Sequence, residues 1–175
     1  MLGYLLEGLA PGVVAELPVA SLCIDSRRIK PGDVFIALDG SRTRGLDYLD
    51  EAVGKGAAAV LVDESAGASG ARGGVPVIAI PDLRSRLGVM AARYYGNPSG
   101  SMRVTGVTGT NGKTSVTWYQ AQVLSAGGAA VGSIGTLGYG LYGSLDQALN
   151  TTPDAITLQG LLARFLEQGA RDAVM

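Results

Sequence analysis

The sequence predicts an α/β fold in two parts, and three observations support this prediction. Short apolar runs of strand length alternate with segments whose apolar residues recur at helical spacing. The linker-like stretch NPSGS at residues 97–101 divides the chain, and charged residues become sparser after it, as expected for a mostly parallel sheet with two covered faces. The 27 glycines follow no period, so they indicate tight turns and not a collagen-like repeat.

Four apolar runs predict the strands of the first part, at residues 22–24, 34–38, 57–62 and 75–80. A helix is predicted between the second and third runs, where GLDYLDEAVGKG has apolar residues at helical spacing. Asp82 is a candidate N-cap for a second helix, which the sequence Gly-Asn-Pro after Tyr95 would end. Residues 64–74 are almost all small, and we interpret them as a surface loop without chemistry.

The second part repeats the strand–helix–strand pattern, with strands predicted at 102–108, 129–134 and 170–175 and helices at 113–126 and 154–168. We expect the first of these helices to turn one set of apolar side chains inward: Val116, Tyr119, Val123 and Leu124. Residues 136–143, TLGYGLYG, are interpreted as a mobile loop that faces a substrate. Because the chain ends within a predicted strand, we expect it to be a fragment of a longer protein.

Composition excludes several classes of function. The 14 basic and 15 acidic residues give a net charge of −1, which argues against a broad nucleic-acid-binding surface. The absence of histidine excludes Ser-His-Asp catalysis and His-ligated zinc. The single cysteine, Cys23, excludes an internal disulfide and fits a reducing compartment. No apolar run approaches the ~20 residues of a membrane span, so we expect a cytoplasmic protein with no membrane partner.

The strongest motif is GVTGTNGKT at residues 106–114, which follows a predicted strand and opens a predicted helix. Backbone N–H groups at such a helix start bind phosphate oxygens, and the glycines let the backbone approach them closely. Lys113 would add a full positive charge, and the Thr114 hydroxyl would be placed to ligate Mg²⁺. The common phosphate-loop pattern has glycine where this chain has Val107, so a glycine-rich turn without a ligand remains the alternative.

With this loop, the chain resembles the Mur ligase superfamily, whose members join a carboxylate to an amine using ATP. Two further motifs resemble its MurE type: DSR at residues 25–27 with KPGDVFIA at 30–37, and NTTPD at 150–154. The resemblance implies a small α/β UDP-sugar-binding domain at residues 1–98. It also implies the first part of a P-loop ATPase domain with a mostly parallel sheet at residues 99–175, and a C-terminal amino-acid-binding domain outside this chain.

The resemblance also implies site residues. Those matching the ATP loop are Gly109, Thr110, Asn111, Gly112, Lys113, Thr114 and Ser115. Ile24 and Ser26 match contacts to uridine, and those matching contacts to the rest of the substrate are Ser41, Arg42, Thr43, Asn150, Thr151 and Thr152. The implied catalytic residues are Lys113 and Thr114, with Thr114 on the metal.

The function implied is the ATP-dependent addition of the third amino acid to UDP-N-acetylmuramoyl-L-alanyl-D-glutamate, through an acyl phosphate. The partners implied are this UDP-sugar dipeptide, ATP, Mg²⁺ and a free amino acid, either diaminopimelate or lysine, and we expect a monomer at full length. The alternatives are a MurF-like or folylpolyglutamate-type ligase, or a fragment that binds nucleotide without catalysis. We expect the 175 residues alone to be inactive.

From the residues alone, two of these motifs have structural explanations. A local Asp–Arg pair at the end of a strand accounts for Asp25 and Arg27. A helix start accounts for the second motif, with Thr152 as N-cap, Pro153 at the first helical position and Asp154 at the positive helix end. Cys23 is expected to be a buried core residue.

Overall fold

The computed structural model describes residues 1–10, 16–40, 43–147 and 152–175. They form two compact units, Met1–Tyr94 and Tyr95–Met175. Each unit has its own five-stranded sheet and its own helices, and the α/β class predicted from the sequence is confirmed. Among the described residues, no helix has the length and apolar character that crossing a membrane requires.

The sheet of the first unit has the strand order β1-β2-β3-β5-β4. Its strands are β1 (Leu22–Cys23), β2 (Val34–Ala37), β3 (Ala59–Asp63), β4 (Gly70–Arg72) and β5 (Val75–Ile80). The first four strands of that order are parallel, and only the edge strand β4 is antiparallel to its neighbour. Every residue of β2 is buried, as in a parallel strand covered on both faces.

Three helices accompany this sheet: α1 (Leu2–Leu6), α2 (Leu49–Gly54) and α3 (Leu83–Tyr94). Asp82 lies at the predicted cap position of α3, since the N–H of Arg86 donates to its carbonyl oxygen, but another side chain accepts from the first turn. The N–H of Leu83 donates to the carboxylate of Asp63, at 3.0 Å, while Asp82 has a left-handed backbone with φ of 51°. The acidic residue that ends β3 therefore satisfies one N–H group of the first turn of the following helix.

Residues 64–74 are not the plain surface loop that we expected. They contain a 3₁₀ turn, Glu64–Ala66, followed by β4, which pairs with β5. Gly73 and Gly74 join these two strands, and both have positive φ, as the tight hairpin turn with matching twist requires. Arg72 adds a two-point ion pair to Asp50. The small residues of this segment show no alternation of apolar and polar side chains, so β4 could not be predicted from them. The Gly-Gly pair was a usable signal for a hairpin turn.

The sheet of the second unit has the order β6-β10-β7-β8-β9. Its strands are β6 (Arg103–Thr105), β7 (Val131–Gly135), β8 (Gly138–Leu141), β9 (Ser144–Asp146) and β10 (Asp172–Val174). The helices are α4 (Lys113–Ser125) and α5 (Ala155–Glu167). Strands β6, β10 and β7 are parallel, and β7, β8 and β9 form an antiparallel meander.

Residues 136–143 were predicted to be a mobile loop, and the loop prediction is wrong for the four residues at its centre. Gly138–Leu141 is strand β8, hydrogen-bonded on both sides. A Cβ atom on Gly138 would lie 2.4 Å from the carbonyl oxygen of Asp146, and one on Gly140 would lie 2.4 Å from that of Ser144. The glycines therefore permit close approach of two strands, which is why they occur within a strand.

The inward face of α4 is also not the predicted one. Val116, Tyr119 and Val123 are 49%, 64% and 73% exposed, whereas Thr117 and Ala121 are buried. Ala121 packs with Val131 and Val174 in a core cluster, against which Leu124 lies partly buried, as expected. The predicted helical spacing was right, but the predicted buried face was wrong. The smaller residues Thr117 and Ala121 face the sheet, because they allow α4 to lie close to it.

Candidate functional site

The loop between β6 and α4 is exposed and has the backbone shape that its glycines allow. The N–H of Val107 donates to the carbonyl of Met175 at 2.7 Å, so the loop leaves the sheet beside the end of β10. Gly112 is the N-cap of α4 and has a left-handed conformation with φ of 80°, which strongly favours glycine. The first helical hydrogen bond runs from Val116 to Gly112, at 2.9 Å, and the free N–H groups of this helix start lie beside the loop.

Lys113 lies at the first position of α4 with its ammonium group folded over the loop. Its Nζ donates to the carbonyl oxygen of Gly109 at 2.6 Å and lies 3.5 Å from that of Thr110. The side chain remains exposed. An exposed positive charge is therefore held at the end of the helix that attracts anions.

Three threonine hydroxyl groups lie near this helix start. Thr114 donates a long hydrogen bond of 3.5 Å to the hydroxyl oxygen of Thr136, which follows the end of β7. Buried Thr117 donates to the carbonyls of Lys113 and Thr114, at 3.1 and 3.0 Å, and its hydroxyl is thereby satisfied within α4. Thr136 was not singled out as a site residue, although it belongs to the segment 136–143 that was expected to face a substrate. Its position just after a parallel strand was the usable signal, because ligands bind at the carboxyl ends of such strands.

These residues line a cleft of about 370 Å³ in the second unit. The cleft is formed by the loop, by the carboxyl ends of β7 and β10, and by the segment that precedes α5. Its lining residues are Gly106, Val107, Thr108, Lys113, Thr114, Thr117, Ile134, Gly135, Thr136, Thr152, Pro153 and Met175. The cleft therefore brings together three of the predicted site residues, Lys113, Thr114 and Thr152.

The other predicted residues of this unit have different positions. Four of the predicted residues lie on the exposed part of the loop: Gly109, Thr110, Asn111 and Gly112. Ser115 is exposed on the first turn of α4 and does not line the cleft. Asn150 and Thr151 lie outside the described residues.

The start of α5 shows which residue caps it. Asp154 is the N-cap, and its Oδ1 accepts hydrogen bonds from the N–H groups of Ile156 and Thr157 at 2.9 and 3.0 Å. Its Oδ2 accepts from the Thr157 hydroxyl at 2.6 Å. The helix start therefore needs no cap from Thr152, and the structural explanation of Thr152 as N-cap is wrong.

The donor set of this cleft fits a magnesium ion that is held mainly by phosphate and water. Among the residues that the structure describes, no three or more His, Cys, Asp or Glu side chains cluster to hold a metal ion. Hydroxyl oxygens are present at Thr114 and Thr136, and Mg²⁺ commonly takes one or two protein oxygens beside substrate phosphates. Thr114 is the residue that would hold it.

A second cleft, of about 490 Å³, lies in the first unit at the carboxyl ends of β1 and β2. Its lining residues are Ile24, Asp25, Ser26, Arg27, Phe35, Leu38, Thr43, Gly45 and Tyr48. The predicted residues Ile24, Ser26 and Thr43 thus lie in one cleft, while Ser41 and Arg42 lie outside the described residues. Cys23, just before them, is half-buried, and burial raises the pKa of its thiol.

Asp25 and Arg27 form the local ion pair that the structural explanation of this motif requires. The guanidinium of Arg27 contacts both carboxylate oxygens of Asp25 at 2.8 Å, and the Arg27 N–H also donates to this carboxylate. These hydrogen bonds lower the pKa of Asp25 to about 2. Both residues therefore have a structural reason to be present at the rim of the cleft.

Ser26 has partners that no local pattern indicated. Its hydroxyl donates to Oε2 of Glu51 at 2.8 Å, and Lys55 Nζ donates to the Ser26 carbonyl at 2.9 Å. Lys55 also donates to Oε1 of Glu51, at 2.7 Å. Lys55, and to a lesser degree Ser26, lower the pKa of Glu51. Sequence reasoning missed Glu51 because it lies 25 residues away from Ser26 along the chain.

Two family models match the chain, in consecutive segments. The model described as "Mur ligase family, catalytic domain" matches residues 18–95, and the one described as "Mur ligase middle domain" matches residues 107–175. They match most of both structural units, including every lining residue of the cleft in the first unit and all of the phosphate loop except Gly106.

Curated relatives are similar over nearly the whole chain. The UDP-N-acetylmuramoyl-L-alanyl-D-glutamate--2,6-diaminopimelate ligase of Alkalilimnicola ehrlichii is 51% identical over 170 residues, which cover 91% of this chain and 34% of that protein. The enzyme of the same name from Coxiella burnetii is 42% identical, over 99% of this chain and 36% of that protein. The chain thus spans about a third of the length of these relatives.

Solved structures agree with this assignment. A structure of a UDP-N-acetylmuramoyl-L-alanyl-D-glutamate--2,6-diaminopimelate ligase matches with a TM-score of 0.72 at 29% identity, over 90% of this chain and 31% of that one. A MurF ligase from Thermotoga maritima, solved in complex with ADP, matches in fold with a TM-score of 0.60 at 23% identity, over 91% and 32% of the two chains. From the two family models, the relatives and these folds, the chain belongs to the Mur ligase family.

Proposed function

We propose that this chain supplies the UDP-sugar-binding domain, residues 1–98, and the first part of the central ATP-binding domain, residues 99–175, of an ATP-dependent ligase. This ligase adds the third amino acid to UDP-N-acetylmuramoyl-L-alanyl-D-glutamate in the synthesis of the peptidoglycan precursor. The observation that carries the proposal is the position of Lys113, Thr114 and Thr152 around one cleft at the start of α4. The names of the relatives support the same reaction.

The amino acid added is proposed to be 2,6-diaminopimelate. The sequence left diaminopimelate and lysine open, and the relatives at 51% and 42% identity are named for diaminopimelate. The proposed location is the cytoplasm, which rests on the family resemblance and on the single cysteine.

The chemistry proposed has two steps. A carboxylate oxygen of the D-glutamyl residue attacks the γ-phosphorus of ATP, the bond from this phosphorus to the bridging oxygen breaks, and ADP leaves. The amine nitrogen then attacks the carbonyl carbon of the acyl phosphate, inorganic phosphate leaves, and the nitrogen loses a proton to give the amide. The first step brings two anions together, so it depends on positive charge around the phosphates.

The residues of the cleft can meet this requirement. Lys113 would exchange its hydrogen bonds to the carbonyls of Gly109 and Thr110 for phosphate oxygens, while the N–H groups at the start of α4 bind the same anion. Mg²⁺, when bound at Thr114, would neutralise phosphate charge. Thr152, at the other side of the cleft, is proposed to contact the peptide end of the UDP-sugar substrate, together with Asn150 and Thr151.

The decisive variant is Lys113→Ala. It removes a charge-assisted phosphate contact of about 1.5–3 kcal/mol, so ATP affinity should fall between about tenfold and more than a hundredfold. Calorimetric titration with ATP and with UDP would measure this loss, and UDP affinity should not change. Lys30→Ala removes an equal charge in the first unit and serves as the matched control. Equal ATP affinity of Lys113→Ala and the parent chain would exclude this function for the lysine.

Nucleotide binding without ligation by these 175 residues is the second candidate, because the chain spans only about a third of its relatives. The 175-residue chain should therefore release negligible phosphate from ATP in the presence of Mg²⁺, UDP-N-acetylmuramoyl-L-alanyl-D-glutamate and diaminopimelate. The complete protein is the positive control. Rapid release that depends on both substrates would contradict the expectation that the remaining two thirds are needed.

A further inference from the structure

The proton of the Ser26 hydroxyl is already engaged by a residue of α2. Ser26 is only 6% exposed and lines the cleft of the first unit, and its Oγ lies 2.8 Å from Oε2 of Glu51. An ionised carboxylate can only accept a hydrogen bond, so the serine must be the donor in this contact. Because its single hydrogen is used in this contact, the Ser26 hydroxyl oxygen can take part in further hydrogen bonds only as an acceptor.

Lys55 keeps this arrangement in one orientation. Its ammonium group donates to Oε1 of Glu51 at 2.7 Å and to the Ser26 carbonyl at 2.9 Å. Glu51 and Lys55 are one helical turn apart, so the pair is held at the end of α2. Both carboxylate oxygens are therefore occupied, one by the ammonium group and the other by the serine hydroxyl.

We infer that Glu51 is a positioning residue that makes Ser26 a hydrogen-bond acceptor toward the ligand, and that the cleft thereby selects uridine over cytidine nucleotides. This inference rests on the proposed binding of a UDP-sugar in this cleft. Uracil carries an N–H group at ring position 3, whereas cytosine has a lone pair there. An acceptor fixed at Ser26 stabilises the first base and opposes the second.

Replacing Glu51 by glutamine changes the hydrogen-bonding polarity of this serine. Lys55 can only donate, so it retains the amide oxygen of the new side chain and leaves the amide nitrogen facing Ser26. That nitrogen donates to the serine oxygen and frees the hydroxyl proton to turn toward the ligand. Glu51→Gln should therefore weaken binding of UDP and improve binding of CDP.

The experiment measures the affinities of UDP, CDP and 3-methyl-UDP for the 175-residue chain by calorimetry. The parent chain should prefer UDP by about tenfold over each of the other two ligands. In Glu51→Gln the ratio of UDP to CDP affinity should fall to one or below, and 3-methylation should cost no affinity. Asp50→Asn is the matched control, since it makes the same change on the adjacent residue, whose partner is Arg72, and it should keep the parent ratio.

Ser26→Ala provides an independent reading of the same contact. It should lose the preference for UDP, and adding Glu51→Gln to it should have no further effect, because the two residues act through one oxygen. This variant carries the test if Glu51→Gln does not fold. An unchanged UDP-to-CDP ratio in either variant overturns the inference and leaves the proposed function standing. No binding of UDP by the parent chain overturns both.

Discussion

Lys113 and Asp25 show how single charged residues are held before any ligand arrives. The ammonium group of Lys113 is hydrogen-bonded to a carbonyl of its own loop, so the proposed phosphate binding would be an exchange of partners and not the capture of a free charge. The carboxylate of Asp25 is bonded to Arg27 at the rim of the other cleft. In both cases the charged group has a defined position before a ligand binds. The conformational entropy lost in ordering the side chain is therefore lost on folding and not on binding.

The Asp25 contact has a measurable pH dependence. The folded-state pKa of about 2 lies below the ordinary value of 3.8, so the contact stabilises the fold above about pH 4. This contribution decreases as the pH falls from about 4 and is lost below about 2. A carbon-13 NMR titration of the carboxyl group should give a midpoint near 2, and Arg27→Gln should move it toward 3.8. Arg72→Gln should leave the Asp25 midpoint unchanged, and a midpoint near 3.8 in the parent chain would contradict the assignment.

At the scale of elements, α4 shows both the strength and the limit of sequence patterns. The glycine-rich motif located the helix start at Lys113 correctly, because the phosphate loop is encoded by adjacent residues. The buried face was wrongly predicted, since Thr117 and Ala121 are buried and the larger Val123 is exposed. Apolar spacing gives the period of a helix, but the neighbouring strands decide which side is covered.

A pair of valine substitutions tests this assignment of the two faces. Val123→Ala should change the free energy of unfolding of the 175-residue chain by less than about 0.5 kcal/mol, because the side chain is 73% exposed. Val131→Ala in β7 makes the same deletion at a residue that is 1% exposed, and should cost about 2 kcal/mol. Urea denaturation measures both values. Similar losses in the two variants would show that the predicted inward face was correct.

The same limit applies to the two clefts. Lys113 and Thr114 could be proposed as cleft residues from the sequence because they belong to the loop motif, and Ser26 could be proposed from the resemblance. Glu51 could not, because it reaches Ser26 through a contact between segments 25 residues apart, whereas Thr136 had a signal in its position after a parallel strand. The strand β8 was missed because its glycines resemble those of a loop, although they serve to bring two strands together.

At the scale of the whole molecule, each of the two candidate ligand clefts lies beside the sheet of its own unit. The first unit places Ser26 beside the ends of β1 and β2, and the second places Lys113 and Thr114 beside the ends of β7 and β10. In both units the parallel strands end at the cleft, which is the usual position of ligands in open α/β sheets.

Ligands should therefore protect the two units selectively. At a concentration of about 100 times its dissociation constant, a ligand stabilises the folded state that binds it by about 2.7 kcal/mol. Hydrogen exchange should show UDP slowing exchange in β2 and β3, and ADP with Mg²⁺ slowing exchange in β7 and β10. The chain without ligand is the reference. Equal protection of both sheets by either nucleotide would contradict the assignment of the clefts.

The position of β10 has a consequence for how the chain is made on the ribosome. In the first unit, β1, β2 and β3 pair with one another in the order of their synthesis. In the second unit, β6 and β7 do not pair with each other, because β10 lies between them, and the Arg103–Asp172 ion pair joins residues 69 positions apart. The edge of β6 that pairs with β10 must therefore stay without its partner until translation has delivered residues 172–174.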